Sequence, residues 1–201
     1  MRPPTMDQVE QQIRAAMDAD DWAAVEHYGV ILDTLQALQD PPGLLPSALW
    51  YAQHGWPVFQ LQPGMKTPYS GSRGFKDATT DPATITHWWT RNPNANIGIA
   101  TGHGFDVIDV DGPLGVRTWL DMWDDIASLG IIGKVSTTRP GGIHLYVPVS
   151  GRGCKAGVYP GIDYRGAGGY VVAPPSRLID APGQTPGEYH WLTPPSTAVA
   201  A

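Results

Sequence analysis

The sequence predicts an α+β domain, a mostly antiparallel sheet with flanking helices, preceded by an N-terminal helical hairpin. Three observations lead there. Apolar residues recur at four-residue spacing through the first forty positions. After a Pro-Gly break, short β-branched and aromatic runs alternate with helical stripes. Glycine-rich punctuation separates those runs at hairpin-like distances.

Val9, Ile13 and Met17 form the first stripe, and Trp22, Val25, Leu32, Leu35 and Leu38 form the second. Asp20 or Asp21 suits the cap of the second helix, and Pro41-Pro42-Gly43 stops it. Packing of this appendage on the main domain is the expectation. Ser47 is placed as the cap of a helix through Ala48, Leu49, Trp50 and Ala52 that ends at Gly55, with a strand from Trp56 to Leu61 after it. Asp81-Pro82 opens a helix containing Ile85, Trp88 and Trp89, and both tryptophans are assigned to the core. Asn96 to Thr101 and Phe105 to Asp111 read as a hairpin about Gly102-His103-Gly104. One helix with Val116, Leu120, Trp123 and Ala127 on a side follows. Lys134 to Thr138 and Ile143 to Val149 flank a Pro140-Gly141-Gly142 turn, and Gly161 to Arg165 and Gly169 to Ala173 complete the strands. The expected organisation is a hairpin over 1–45, a main domain over 46–192 and a flexible tail over 193–201.

Composition narrows the function classes. With 42% hydrophobic and 16% charged residues the chain reads as globular rather than disordered. No window approaches the roughly twenty apolar residues of a membrane span, so a cytoplasmic protein without a membrane partner is expected. One cysteine, Cys154, excludes an intrachain disulfide and a Cys-rich zinc site. The net charge of −6 is carried by residues 1–45, which hold two basic and eight acidic groups. From Lys134 onward there are six basic groups against three acidic ones, a surface that suits phosphate as well as it suits plain solvation.

Three segments can carry chemistry. Asp109 and Asp111 lie two residues apart on a strand-forming run, so their carboxylates point the same way, roughly 6 to 7 Å apart along the backbone. Such hard oxygen donors suit a pair of Mg²⁺ or Mn²⁺ ions about 3.5 to 4 Å apart. Taken in isolation, the pair is explained more simply by a strand running into a solvated Gly112-Pro113 turn. In Gly141-Gly142-Ile143-His144-Leu145-Tyr146-Val147 the apolar set takes one face and His144 the other, either to meet a phosphate or as a partly exposed sheet histidine. Asp163, in Gly161-Ile162-Asp163-Tyr164-Arg165, is either a third metal-binding carboxylate with Arg165 near phosphate, or the cap of a Gly-rich turn. The glycines fit no dinucleotide or triphosphate fingerprint.

Taken in order, Asp-x-Asp, Gly-Gly-x-His-Leu-Tyr and hydrophobe-Asp with Gly-Gly-Tyr-Val-Val-Ala-Pro-Pro-Ser resemble the bifunctional DNA primase/polymerase amino-terminal domains of the archaeo-eukaryotic primase superfamily. The resemblance starts near Ala48 and takes in Gly55 to Phe59, Lys66-Thr67-Pro68 and the Gly74 to Pro82 run. It continues through Trp88-Trp89 and Asn96 to Gly102 and ends near Ser176, about two-thirds of the chain. It implies an RRM-like mixed sheet and template-dependent nucleotidyl transfer with two Mg²⁺ or Mn²⁺ ions. Asp109, Asp111 and Asp163 are implied as metal ligands, and His144 as a contact of the nucleotide triphosphate. Lys66, Arg139, Gly142 and Arg165 are further nucleotide-binding candidates.

Two departures stand out. Serine often precedes the family histidine by two positions, where this chain has Gly142, and a Cys-based zinc stem is lacking, so no zinc is expected. Implied partners are DNA template and primer, dNTP or NTP substrates, and a helicase in phage or plasmid replication. No priming domain or helicase follows Ser176, so the chain reads as an excised or naturally short catalytic part, with polymerisation expected ahead of de novo priming. A competing expectation is a non-catalytic sheet that binds single-stranded nucleic acid on aromatic residues. Another is a different Asp-x-Asp metal enzyme, a nuclease or nucleotide-sugar transferase.

Overall fold

A computed structural model describes residues 6–37 and 43–195, and the chain divides into two compact units, Met1–Pro41 and Pro42–Ala201. In the first, α1 (Met6–Asp18) and α2 (Trp22–Ala37) pack on each other. Asp21 caps α2 by accepting from the Ala24 amide at 3.1 Å, while Asp20 takes the left-handed backbone that makes the turn. Val9 and Ala16 are buried, whereas Met17 and Trp22 are exposed, so the apolar stripes only partly coincide with the buried faces. Leu38 and the Pro41-Pro42 stop lie outside the described residues, as do the side chains of Leu32 and Leu35.

The second unit opens with α3 (Leu44–Gln53) and β1 (Val58–Leu61), followed by a 3-10 turn (Gly74–Asp77), α4 (Pro82–Arg91), β2 (Asn96–Ala100) and β3 (Asp106–Val110). Next come α5 (Gly112–Asp121), α6 (Trp123–Ala127), β4 (Gly133–Ser136) and β5 (Ile143–Val147). The chain continues through β6 (Lys155–Tyr159), β7 (Ile162–Arg165), β8 (Tyr170–Ala173), β9 (Arg177–Leu178), β10 (Gly187–Glu188) and β11 (His190–Thr193). A six-stranded sheet runs β11-β4-β5-β3-β7-β6, a three-stranded sheet runs β1-β2-β8, and β9 pairs with β10. The paired strands are antiparallel. The mixed α+β, mostly antiparallel architecture agrees with the fold class expected from sequence.

Strand alternation gives the large sheet two apolar faces. Ile108, Val110, Leu145, Val147 and Ile162 face one way, where Val116, Trp119, Met122 and Ile126 of the α5–α6 region cover them. Phe105, Val107, Val135, Tyr146 and Trp191 face the other, into a larger core shared with α3, α4 and the three-stranded sheet. Trp56 joins that core, 4.5 Å from Phe105 and stacked on Tyr146 at 5.7 Å between ring centres. Asp81 caps α4 through the Thr84 amide at 2.8 Å, and Trp89 is buried with its indole N–H donated to the Ala95 carbonyl.

Several local expectations need correction. Ser47 is not a cap: α3 starts at Leu44, and the Ser47 hydroxyl folds back onto the Gly43 carbonyl at 2.8 Å. Asn96 to Thr101 and Phe105 to Asp111 are not a hairpin. β2 is buried at every position and takes β1 and β8 as neighbours, while β3 takes β5 and β7, because each has apolar side chains on both faces and so needs a central place in its own sheet. The helix after Asp111 breaks at Met122, and Trp119, Met122 and Ile126 are its packed side, leaving Leu120 and Trp123 exposed. Thr193, where the tail was expected to start, ends β11, and 196–201 lie outside the described residues. Among the described residues no helix is long and apolar enough to cross a membrane.

Candidate active site

Register assembles what the sequence holds apart. Asp109 at the centre of the large sheet stands opposite His144 on β5 and opposite Asp163 on β7, so the three side chains share one face. Asp111 follows at the end of β3, where its amide donates to the Gly161 carbonyl at 2.8 Å. That contact depends on Gly115 and Gly161, because a methyl group at Gly115 would run into the Gly161 carbonyl. The start of α5 therefore lies hard against the β6–β7 turn, which fixes Asp111 beside the strand that carries Asp163.

The two clustered aspartates differ electrostatically. Asp109 is nearly buried, with Oδ1 3.4 Å from His144 Nε2 and Oδ2 accepting from Arg165 Nη2 at 3.2 Å. Burial opposes its charge, but the interactions with His144 and Arg165 outweigh that cost and bring its carboxyl down to about 2. Asp111 is the N-cap residue of α5, yet its side chain makes no capping bond and pairs instead with Arg139 Nη1 at 3.1 Å. Burial, then the negative charge of Asp109, push the Asp111 carboxyl above its ordinary range, and Arg139 only partly offsets this. Asp163 accepts from the Gly157 amide at 2.8 Å through Oδ1 and from Arg165 Nη2 at 2.8 Å through Oδ2.

These groups border a cleft of about 530 Å³, a size that suits a nucleotide-scale ligand. Asp109, Asp111, His144, Lys66, Arg139 and Arg165 line it. Asp163 and Gly142 do not, although Asp163 is tied to lining residues through Arg165 and Gly142 through Thr137. Of the basic run after Lys134, Arg139 and Arg165 reach the cleft, while Arg177 pairs with Glu188 instead.

The donor set bears on metal binding. Carboxylate oxygens are what Mg²⁺ and Mn²⁺ take, and burial first, then the neighbouring charge of Asp109, raise the Asp111 carboxyl, costs that a bound cation would offset. Asp109 and Asp111 fit such an ion, with Asp163 as the neighbouring third carboxylate. Among the described residues, no three His, Cys, Asp or Glu side chains are gathered tightly enough to enclose an ion as they stand. Arg165, lying between Asp109 and Asp163, is the cation already there.

Residue-type reasoning passed over several lining groups. Thr137 is the most telling: a methyl at Gly142 would collide with the Thr137 hydroxyl, so that hydroxyl fills the place beside the turn where the family resemblance expects a serine side chain. Tyr189 is buried with its ring 5.8 Å from that of His144. Burial and the Asp109 charge push its hydroxyl up to about 12, against a hydrogen bond with Thr138. Its signal was the alternation of Tyr189 and Trp191 in a short strand-like run near the end of the chain. Phe75, Tyr170 and Cys154 also line the cleft, and the Tyr170 hydroxyl donates to the Lys66 carbonyl at 3.0 Å, which fixes the backbone that carries Lys66.

A family model described as bifunctional DNA primase/polymerase, N-terminal, matches residues 48–201, so the similarity runs beyond Ser176 to include Tyr189 and β11. No curated protein matches the chain.

Proposed function

The chain belongs to the family of bifunctional DNA primase/polymerase amino-terminal domains, and from that membership we propose that its cleft joins nucleotides on a DNA template by a two-metal reaction. The observation that carries the reading is the registered row His144, Asp109 and Asp163 across three adjacent strands, with Asp111 beside it and Lys66, Arg139 and Arg165 on the same cleft.

In the proposed reaction the primer 3′-hydroxyl attacks the α-phosphorus of a nucleoside triphosphate. A phosphorus–oxygen bond forms to the primer as its hydroxyl gives up its proton to water, the bond to the bridging oxygen breaks, and pyrophosphate leaves. Asp109 and Asp111, with Asp163, would hold Mg²⁺ or Mn²⁺, which when bound lowers the pKa of the attacking hydroxyl and neutralises triphosphate charge. Lys66, Arg139 and Arg165 bind and orient the phosphates, and a guanidinium does so with two parallel donors where geometry allows. His144 is held by the Asp109 carboxylate through Nε2, and its buried Nδ1 has no hydrogen-bond partner among the described residues. The Thr137 hydroxyl, which stands beside Gly142, would offer the nucleotide the hydroxyl that the family resemblance expects at that turn. Positioning and preorganised charge provide most of the rate. The setting we infer from the resemblance is phage- or plasmid-type DNA replication beside a helicase.

The test is primer extension on a primed template with Mn²⁺ and labelled nucleotides. Wild-type chain should lengthen the primer, and the double variant Asp109→Asn with Asp111→Asn should reduce extension at least a thousandfold, on the order of the loss of essential electrostatic groups elsewhere, with its fold retained by circular dichroism. Undiminished extension by the double variant would remove the mechanism. Metal-independent binding of single strands with no product from wild type would favour the binding module.

A further inference from the structure

We propose that Arg165 is a resident counter-ion for Asp109 and Asp163, which a divalent cation must displace and an incoming triphosphate draws away, so that metal and nucleotide bind cooperatively. The inference rests on the nucleotidyl-transfer reading of the cleft and adds to it an order of events.

Alternation along β7 puts Asp163 and Arg165 on one face, and the β3–β7 register puts Asp109 opposite Asp163. The guanidinium reaches both carboxylates, at 2.8 Å to Asp163 and 3.2 Å to Asp109. The remaining oxygens are engaged as well: Asp163 Oδ1 accepts from the Gly157 amide, and Asp109 Oδ1 faces His144. Each of the four oxygens therefore already has a partner. Withdrawing Arg165 alone would leave the nearly buried Asp109 facing only His144 and the partly buried Asp163 with only the Gly157 amide, so Arg165 leaves most readily in exchange for another cation.

The same guanidinium borders the cleft and its side chain is 36% exposed, so it can turn toward a polyphosphate without unpacking the sheet. A triphosphate with three or four negative charges gives it a new partner as the ion takes its former place. Because coupling is reciprocal, the metal must then raise nucleotide affinity by the factor by which nucleotide raises metal affinity.

The full chain would be titrated with Mn²⁺, following the free ion by electron paramagnetic resonance, with and without a non-hydrolysable α,β-methylene triphosphate. Wild type should bind Mn²⁺ weakly alone and more tightly with the analogue, beyond the Mn²⁺ held by the analogue itself. Arg165→Gln should bind Mn²⁺ alone roughly 5- to 150-fold more tightly than wild type, the usual span of such coupling, and show little further gain with the analogue. Arg165→Lys, which keeps the charge, should stay close to wild type. Equal or weaker Mn²⁺ binding by Arg165→Gln overturns the proposal, as does independent binding of Mn²⁺ and analogue by wild type, a readout that holds even if the glutamine variant fails to fold. If Asp109→Asn with Asp111→Asn leaves Mn²⁺ binding in the presence of analogue untouched, the metal reading of the cleft itself falls.

Discussion

Asp109 and Asp111 are two residues apart, yet folding moves their carboxyl groups in opposite directions, one down to about 2 and the other above its ordinary range. For Asp109 the lowered value means that its charge contributes stability, present above the ordinary carboxylate range and lost as pH falls toward 2. For this largely buried group the contribution is roughly 2 kcal/mol at neutral pH. For Asp111 the sign reverses, because the fold favours the neutral form and loses stability as pH rises through the interval between its unfolded and folded values. Asp109→Asn should therefore lower the melting temperature at pH 7, while Asp111→Asn should leave it unchanged or raise it. Thermal melts at pH 7 decide this, and a larger loss for Asp111→Asn than for Asp109→Asn would refute the assignment. Both carboxylates were legible as candidates from their spacing together with the order of the three motifs. Their opposite characters were not, because Asp109 is lowered by His144 and Arg165, which neighbouring strands bring in, while Asp111 is raised by burial and by the charge of Asp109 against the opposing pull of Arg139.

At the scale of elements, the approach of α5 to the β6–β7 turn is set by two glycines rather than by side-chain interlock. Gly115→Ala should cost about 1 to 3 kcal/mol, because there is no flexible side chain to yield, only the Gly161 backbone. Gly29→Ala in α2 is the contrast: among the described residues nothing stands close to where its methyl group would go, and alanine should be tolerated or mildly stabilising. Chemical denaturation of the two variants tests the pair, and a Gly115→Ala variant as stable as wild type would show that the turn yields freely. Helix starts were readable where a cap and a proline coincide, as at Asp81-Pro82, because a cap is a contact within one turn of chain. The break at Met122 was not, since no proline or glycine marks it and the packed side is chosen by the sheet beneath, which selects Trp119 and Met122 over Leu120 and Trp123.

For the main domain as a whole, the six-stranded and three-stranded sheets are held together by aromatic side chains drawn from the length of the unit. Trp191 near its end packs on Tyr146 at 5.0 Å and donates its indole N–H to the Tyr51 hydroxyl at 3.1 Å, and that hydroxyl donates to the Pro174 carbonyl. Trp191→Ala should cost about 3 to 5 kcal/mol, a large share of a typical domain's stability. Urea unfolding measures it, and a loss under about 1 kcal/mol would mean that the core does not depend on this junction. The sequence by itself determined many of the elements, though not β6 or β9 to β11, and the α+β class and the family, and it named Asp109, Asp111, His144, Lys66, Arg139 and Arg165, which line the cleft, because periodicity, caps and motif order are local properties of the chain. Only the tertiary structure decided that β2 and β3 part into different sheets, that Thr137 and Tyr189 join the cleft, and that Arg165 stands between Asp109 and Asp163. Those facts follow from which strands pair and in what register, and pairing is settled by burial of both faces of each strand across long stretches of chain.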